Sequence, residues 1–255
     1  QQVYSSSWWH KIISLRGLTA PKFTNQGKYE SLVKIFGDST NLPQLSNSIA
    51  IIYSYSINYN NVIEFNSREA ALSDQYDFNL VDTLMASTAT PFFWQPMTLE
   101  NKTKSFETDS IDAVLTLNNP GFNTILRTQT MFPNHHIVLL SLGTGADFNN
   151  LDDSLIKKQK LSRGLLRAFF PAFDLSITSQ SLVNQQYIKN YFNRPNSPLV
   201  AVFRLNITKP TDAPSPLDGD PKNFPIVEQY ADKMVNKKQN IIDQFINIIE
   251  LIDGH

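Results

Sequence analysis

A chain of 255 residues with 41 % apolar and 11 % aromatic side chains, including 17 Phe, has the means to bury a core and is not a disordered segment. Lys and Arg number 22 against 23 Asp and Glu, so no positive excess is available for nucleic-acid phosphates. The absence of cysteine excludes disulfides, thiolate metal sites and a cysteine nucleophile, and the 4 His (His10, His135, His136, His255) are too dispersed for a ready metal site.

No run approaches the ~18 consecutive apolar residues of a membrane-spanning helix. Residues Gln1 to His10 lack the basic start and apolar middle of a signal peptide, so the expectation is a soluble chain. Trp8, Trp9, Ile12, Ile13 and Leu15 are packing residues with no preceding cap. They read as a sequence already under way, its beginning lost upstream.

Residues 8 to 20 pattern as a short amphipathic piece. Tyr29, Leu32, Val33 and Phe36 repeat at helical spacing, with Gly37 placed to end the helix. The run Ile49 to Ile57 is β-branched and aromatic and reads as a strand buried on both faces. A turn at 58 to 61 leads to a partner strand at Val62 to Phe65, making a hairpin. Leu80 to Ala89 is helical and rich in small residues. Ile111 to Leu117, Ile137 to Leu142 and Leu199 to Leu205 read as further strands. Pro210 to Pro225 is a Pro-rich loop. Val227, Tyr230, Met234, Ile241, Phe245, Ile248 and Ile252 form one helical stripe, interrupted by Lys237 and Lys238. That stripe suits a helix over residues 226–252 covering a sheet, or a partner-binding helix. Strands separated by helices place the chain in the α/β class.

The motifs Gly-x-Ser-x-Gly, Gly-x-Gly-x-x-Gly, Gly-Lys-Ser/Thr and His-Glu-x-x-His are all absent. His135 and His136 are adjacent just before a strand, an arrangement that suits an exposed loop better than a shared metal.

Three segments remain. They are Ala86-Ser87-Thr88-Ala89-Thr90-Pro91-Phe92-Phe93, then Asp112-Ala113-Val114 leading to Asn118-Asn119-Pro120, then Ser141-Leu142-Gly143-Thr144-Gly145. In this order they resemble the patatin-like phospholipases. In that family Ala-Thr/Ser-Ser-Ala-Ala-Pro precedes aromatics, Asp-Gly-Gly stands at a fixed distance before Asn-Asn-Pro, and a strand ends in Ser-Leu/Ile-Gly-Thr-Gly. Upstream, Pro21-Lys22-Phe23, Gly27-Lys28-Tyr29 and Phe36-Gly37-Asp38-Ser39-Thr40 look like the family's approach to its central strand. The likeness covers residues 10–145 well and the rest more loosely. It implies that residues 1–255 are the C-terminal portion of one patatin-like domain.

The resemblance implies a layered α/β fold with helices around a mainly parallel central sheet, incomplete at its N-terminal side. It also implies ester hydrolysis of acyl lipids by a Ser–Asp dyad, with the aspartate taking the serine's proton and no histidine required. Asp112 falls in the position of the dyad aspartate. Asp109 competes three residues earlier but lies outside the Asn-Asn-Pro register. Thr88, Phe92, Phe93 and Trp94 are expected near the acyl-binding region, and Gly143 to Gly145 at the floor of the site. The implied substrate is a phospholipid or other acyl lipid met at a membrane surface. Neither cofactor, nor metal, nor nucleic acid is expected.

Two departures bear on activity. The nucleophile serine and the glycine-rich oxyanion loop are not among these residues, and Asp-Gly-Gly has become Asp112-Ala113-Val114. Ser87 and Ser141 lie inside the matched segments but on no nucleophile elbow. One expectation is a missing portion, on an upstream segment of the same product or on a partner chain. Without it the strands at 49–57 and 137–142 would expose unpaired edges and apolar faces. The alternative is a degenerate member that binds lipid or a partner and catalyses nothing. Lys157, Lys158, Lys160, Arg163 and Arg167 alternate with Leu161, Leu165, Leu166, Phe169 and Phe170. They suit either an anionic membrane surface or the solvated face of a helix on the core.

Overall fold

Branched and aromatic residues favour extended backbone, and the run at 49–57 takes it. In the computed structural model of the chain, described for residues 20–45, 47–145, 165–207 and 220–253, β1 (Ile51–Ser56) turns directly into β2 (Asn61–Asn66). The two pair antiparallel with Ile52 opposite Phe65, so the expected hairpin is present. β3 (Met97–Glu100) and β4 (Glu107–Ile111) complete a sheet of order β2-β1-β4-β3, antiparallel throughout. The expectation of a mainly parallel central sheet is therefore corrected for these residues. β1 is also an interior strand, paired along its whole length with β2 and at Tyr55 and Ser56 with β4.

One face of this sheet carries Ile52, Ser54, Ser56, Ile63, Phe65, Leu99, Thr108 and Ser110. Ser54, Ser56 and Ser110 are wholly buried. Tyr53 and Tyr55 on the other face of β1 are only half-buried, so the strand is covered on one face and not on both. Small side chains on the inner face let α3 (Leu80–Ser87) pack against β1, β3 and β4 with Met85 and Ala86 wholly buried. The apolar core lies beside it, around Leu42, Phe65, Phe78, Leu80 and Leu99, with Phe65 and Phe78 in edge contact at 5.0 Å. α1 (Asn25–Phe36) ends at Gly37, whose N–H reaches Val33 O at 2.8 Å. The short α2 (Ser67–Leu72) follows β2, with the Asn66 side chain accepting from Arg68 N–H.

Residues 111–117 do not continue as a strand. β4 stops at Ile111, and Asp112 accepts from the N–H of Val114 to cap a single 3₁₀ turn, Ala113–Leu115. An aspartate side chain competing for local backbone donors overrides the strand preference of Val114 and Leu115.

The chain divides into two compact units, Gln1–Asn118 and Asn119–His255. In the second, α4 (Gly121–Met131) precedes β5 (Ile137–Leu142), and α5 (Leu165–Phe192) lies in the crossover to β6 (Leu199–Leu205). β5 and β6 pair parallel, as a helical crossover permits. Ile125, Ile137, Ile188, Tyr191 and Leu199 form the core of this unit. Other strand residues face outward: Leu142 is 67 % exposed and Val200 44 %.

The expected single helix at 226–252 is two helices, α6 (Phe224–Lys237) and α7 (Gln239–Asp253), divided at Lys238. Of the two, α7 carries the ring that meets β6, Phe245 lying 5.5 Å from Phe203. The Pro-rich stretch ends earlier than expected. Asp220 caps a 3₁₀ turn at Pro221–Asn223, and Pro225 sits in the first turn of α6, where a missing N–H costs nothing. The amphipathic piece before residue 20 and the prolines at 210–216 lie outside the described residues. Among the described residues, no helix is long and apolar enough to cross a membrane.

Candidate functional site

Two of the motif segments meet at the end of β4. The N–H of Asp112 donates to Ala89 O at 3.1 Å, and the Thr90 hydroxyl donates to Asp112 Oδ2 at 2.7 Å. The N–H of Val114 donates to Oδ1 at 2.9 Å. Each carboxylate oxygen thus accepts one bond and keeps a lone pair for another. Burial pushes the Asp112 carboxyl above its ordinary range, while the Thr90 and Val114 bonds and the Lys28 charge pull it back.

Asp109, its sequence competitor, is placed differently. It pairs across the sheet with Thr98, whose hydroxyl donates to Asp109 Oδ1 at 2.6 Å, and its backbone N–H donates to Asn58 Oδ1. It lies on the face opposite buried Thr108 and Ser110.

Thr88 closes α3: its hydroxyl donates to Leu84 O at 2.7 Å. Phe93 and Trp94 are buried, Trp94 packing 5.3 Å from Phe23. Phe92 is 43 % exposed and has φ +73, the left-handed region that a phenylalanine rarely adopts. Of the expected acyl-binding aromatics, only Phe92 presents its ring to the surface.

Sequence patterning missed Lys28. It is 6 % exposed, on the face of α1 turned toward α3, with Gly27 buried beside it. Its Nζ donates to Thr88 O at 3.0 Å and to Met85 O at 3.4 Å, and lies 4.7 Å from the Trp94 ring. Burial lowers its pKa to about 8, opposed by the charge of Asp112. The available signal was its place one helical turn before Leu32, on a stripe where a surface lysine is out of register.

The third motif lies in the second unit. The N–H of Gly143 donates to Leu205 O at 2.8 Å, and that of Gly145 to Asn206 Oδ1 at 3.0 Å. A side chain at Gly143 would place its Cβ 2.4 Å from Asn206 Oδ1 and 2.8 Å from an Arg204 guanidinium nitrogen, so a larger residue here must displace both side chains. Arg204 donates to Ser141 Oγ at 2.6 Å. His135 and His136 are exposed in the turn before β5, the His135 ring resting against Phe132. No group of three His, Asp or Glu side chains suited to a metal ion occurs among the described residues. The basic residues at 157–163 lie outside the described residues, and α5 begins after them. No known family model matches the sequence, and no curated protein is significantly similar to it.

Proposed function

We propose that this chain supplies the aspartate and substrate-pocket half of a patatin-like lipid acyl hydrolase, cleaving acyl esters of phospholipids or related lipids. The observation that carries the reading is the meeting of the 86–93 and 112–120 segments. The first grips, through Ala89 O and the Thr90 hydroxyl, the aspartate that opens the second. In the proposed reaction a serine outside these residues gives its proton to Asp112 as its oxygen attacks the ester carbonyl. The proton then passes to the departing alkoxide; water attacks the acyl-enzyme with Asp112 accepting its proton and returning it to the released serine oxygen. A carboxylate whose pKa burial has raised is a stronger base than a solvated one.

The patatin-like layered fold and the encounter with lipid at a membrane surface belong to the same proposal. So does the source of the serine, an upstream segment or a partner chain. The exposed Leu142 and Val200 of the two-stranded β5–β6 sheet favour such a covering portion.

A second reading, a degenerate binding module, is favoured by Val114. Its branched side chain stands where the family has glycine, and its N–H is committed to the carboxylate. Fluorophosphonate labelling of the natively expressed protein separates the two readings. A labelled species heavier than 29.0 kDa, or a labelled partner chain, is expected for the hydrolase; an unlabelled band at that size makes the binding module the correct reading. In the labelled assembly, Asp112→Asn should abolish ester hydrolysis. Full activity in that variant would remove Asp112 as the base.

A further inference from the structure

Burying an ammonium group is expensive unless it is compensated, and the packing around α1 requires no charge at position 28. The last carbonyls of a helix can be met by water, and a cation near them is stabilised there. What sets Lys28 apart is what those carbonyls belong to. Its Nζ holds Thr88 O and Met85 O at the end of α3. The next two residues provide Ala89 O, which accepts from Asp112 N–H, and the Thr90 hydroxyl, which donates to Asp112 Oδ2. An unbroken line of contacts runs from the ammonium through one short turn to the carboxylate.

We propose that Lys28 is the positioning residue for Asp112: it ties down the turn that grips the carboxylate, and its positive charge favours the ionised form of that carboxylate. The inference rests on the functional reading only for its consequence in catalysis. Of the charged groups on the elements around Lys28, Glu30 and Lys34 on α1 are exposed, and Asp82 in the first turn of α3 is shifted by burial alone. Among the described residues, Asp112 is the one charged group that acts on Lys28, and Lys28 acts on Asp112 in return. With Lys28 titrating at about 8, the positive charge fades just above neutral pH. The charge-assisted grip on Thr88 O and Met85 O weakens with it.

The test is a carboxyl-carbon NMR titration of Asp112 in the full chain and in Lys28→Met. Removing the ammonium should weaken Asp112 as an acid by about threefold, half a pH unit, and speed amide exchange of the Asp112 N–H held by Ala89. A folded Lys28→Met with an unchanged Asp112 titration overturns the proposal, even if amide exchange changes, because a purely structural lysine would move only the latter. Should Lys28→Met fail to fold, Asp112→Asn provides the reciprocal measurement. Coupling is mutual, so the Lys28 titration must fall below about 8 by the same factor; a Lys28 titration left in place overturns the proposal. In the active assembly, Lys28→Met should move the acid limb of the pH–rate profile upward by the same interval, whereas Lys28→Arg should leave that limb in place. Activity surviving in Asp112→Asn would defeat the functional reading alone, since the coupling between the two groups is measured without substrate.

Discussion

The ends of β4 and β5 both hold a charged side chain partly out of water, and they do so by different means. At the end of β4, Asp112 has a buried opposite charge nearby in Lys28, accepts two hydrogen bonds at its carboxylate and donates its N–H to Ala89 O. At the end of β5, Arg204 reaches one neutral partner, Ser141. Its Nε is buried without an acceptor, and no ion pair reaches it among the described residues. Burial lowers the Arg204 pKa, but arginine stays protonated across the useful pH range. What shapes that turn is space: Gly143 leaves room that the Asn206 and Arg204 side chains occupy and would have to give up to a larger residue. The first site is held by bonds that a proton can change. The second is held by volume, which no proton changes.

The comparison breaks most visibly at Gly143. Gly143→Val should cost about 3 kcal/mol, measured by denaturant unfolding of the second unit, with no change in the titration of Asp112. Thr90→Val keeps the volume at the other site and removes a hydrogen bond to a charged acceptor. It should cost about 2 kcal/mol and raise the Asp112 pKa further, read by unfolding and carboxyl NMR together. A Thr90 variant that left the carboxyl titration untouched would mean the bond does not tune it.

Stability against pH sharpens the contrast at smaller amplitude. Lys28 has a folded pKa depressed to about 8 from 10.5. Its favourable contribution is present above 10.5 and is lost as pH falls through about 8. Asp112 is raised above its ordinary 3.8, so its contribution is present below that value and is lost as pH rises through the folded pKa. When charged, each group bears its burial cost, eased by the attraction of the other. Hydrogen exchange in β4 should therefore slow as pH rises from 8 toward 10.5, after correction for intrinsic rates, and Lys28→Met should flatten that trend. An unaltered trend in the variant would assign it to another group. The smallest effect expected is at Ser110, wholly buried with no partner for its hydroxyl. Ser110→Ala should stabilise the first unit by about 1 kcal/mol; a loss of stability would show that the hydroxyl is satisfied in solution.

Much of the local structure was legible in the sequence because it depends on neighbours in the chain. The 51–66 hairpin follows from a β-branched and aromatic run before an Asn-rich turn, α1 from its spacing and the glycine after it, β5 and β6 from apolar runs. The stretch 111–117 misled because its apolar residues favour a strand, whereas one aspartate side chain ends it. The sheet order was not legible, since pairing of β1 with β4 joins residues far apart in sequence, and so was set by packing beneath α3. At the site, Asp112 stood out through its motif. Thr90 lay inside a quoted motif without being singled out. Lys28 was hidden because patterning assigns lysine to the surface, and the groups that draw it inward, the carbonyls at the end of α3, the Trp94 ring and Asp112, are distant in sequence.

The left-handed backbone at Phe92 carries one further consequence. The N–H groups of Lys22 and Phe23 hold Phe92 O and Phe93 O at 3.1 and 2.9 Å, so a strip of chain far away in sequence acts as a splint for this bend. A non-glycine residue in that conformation relaxes once its restraints are gone, recovering about 1 kcal/mol. A proteolytic nick at residues 20–23 would therefore let the outward ring swing free without touching the turn that carries it. The direction in which Phe92 faces is thus a memory kept in another segment, and it can be erased from there.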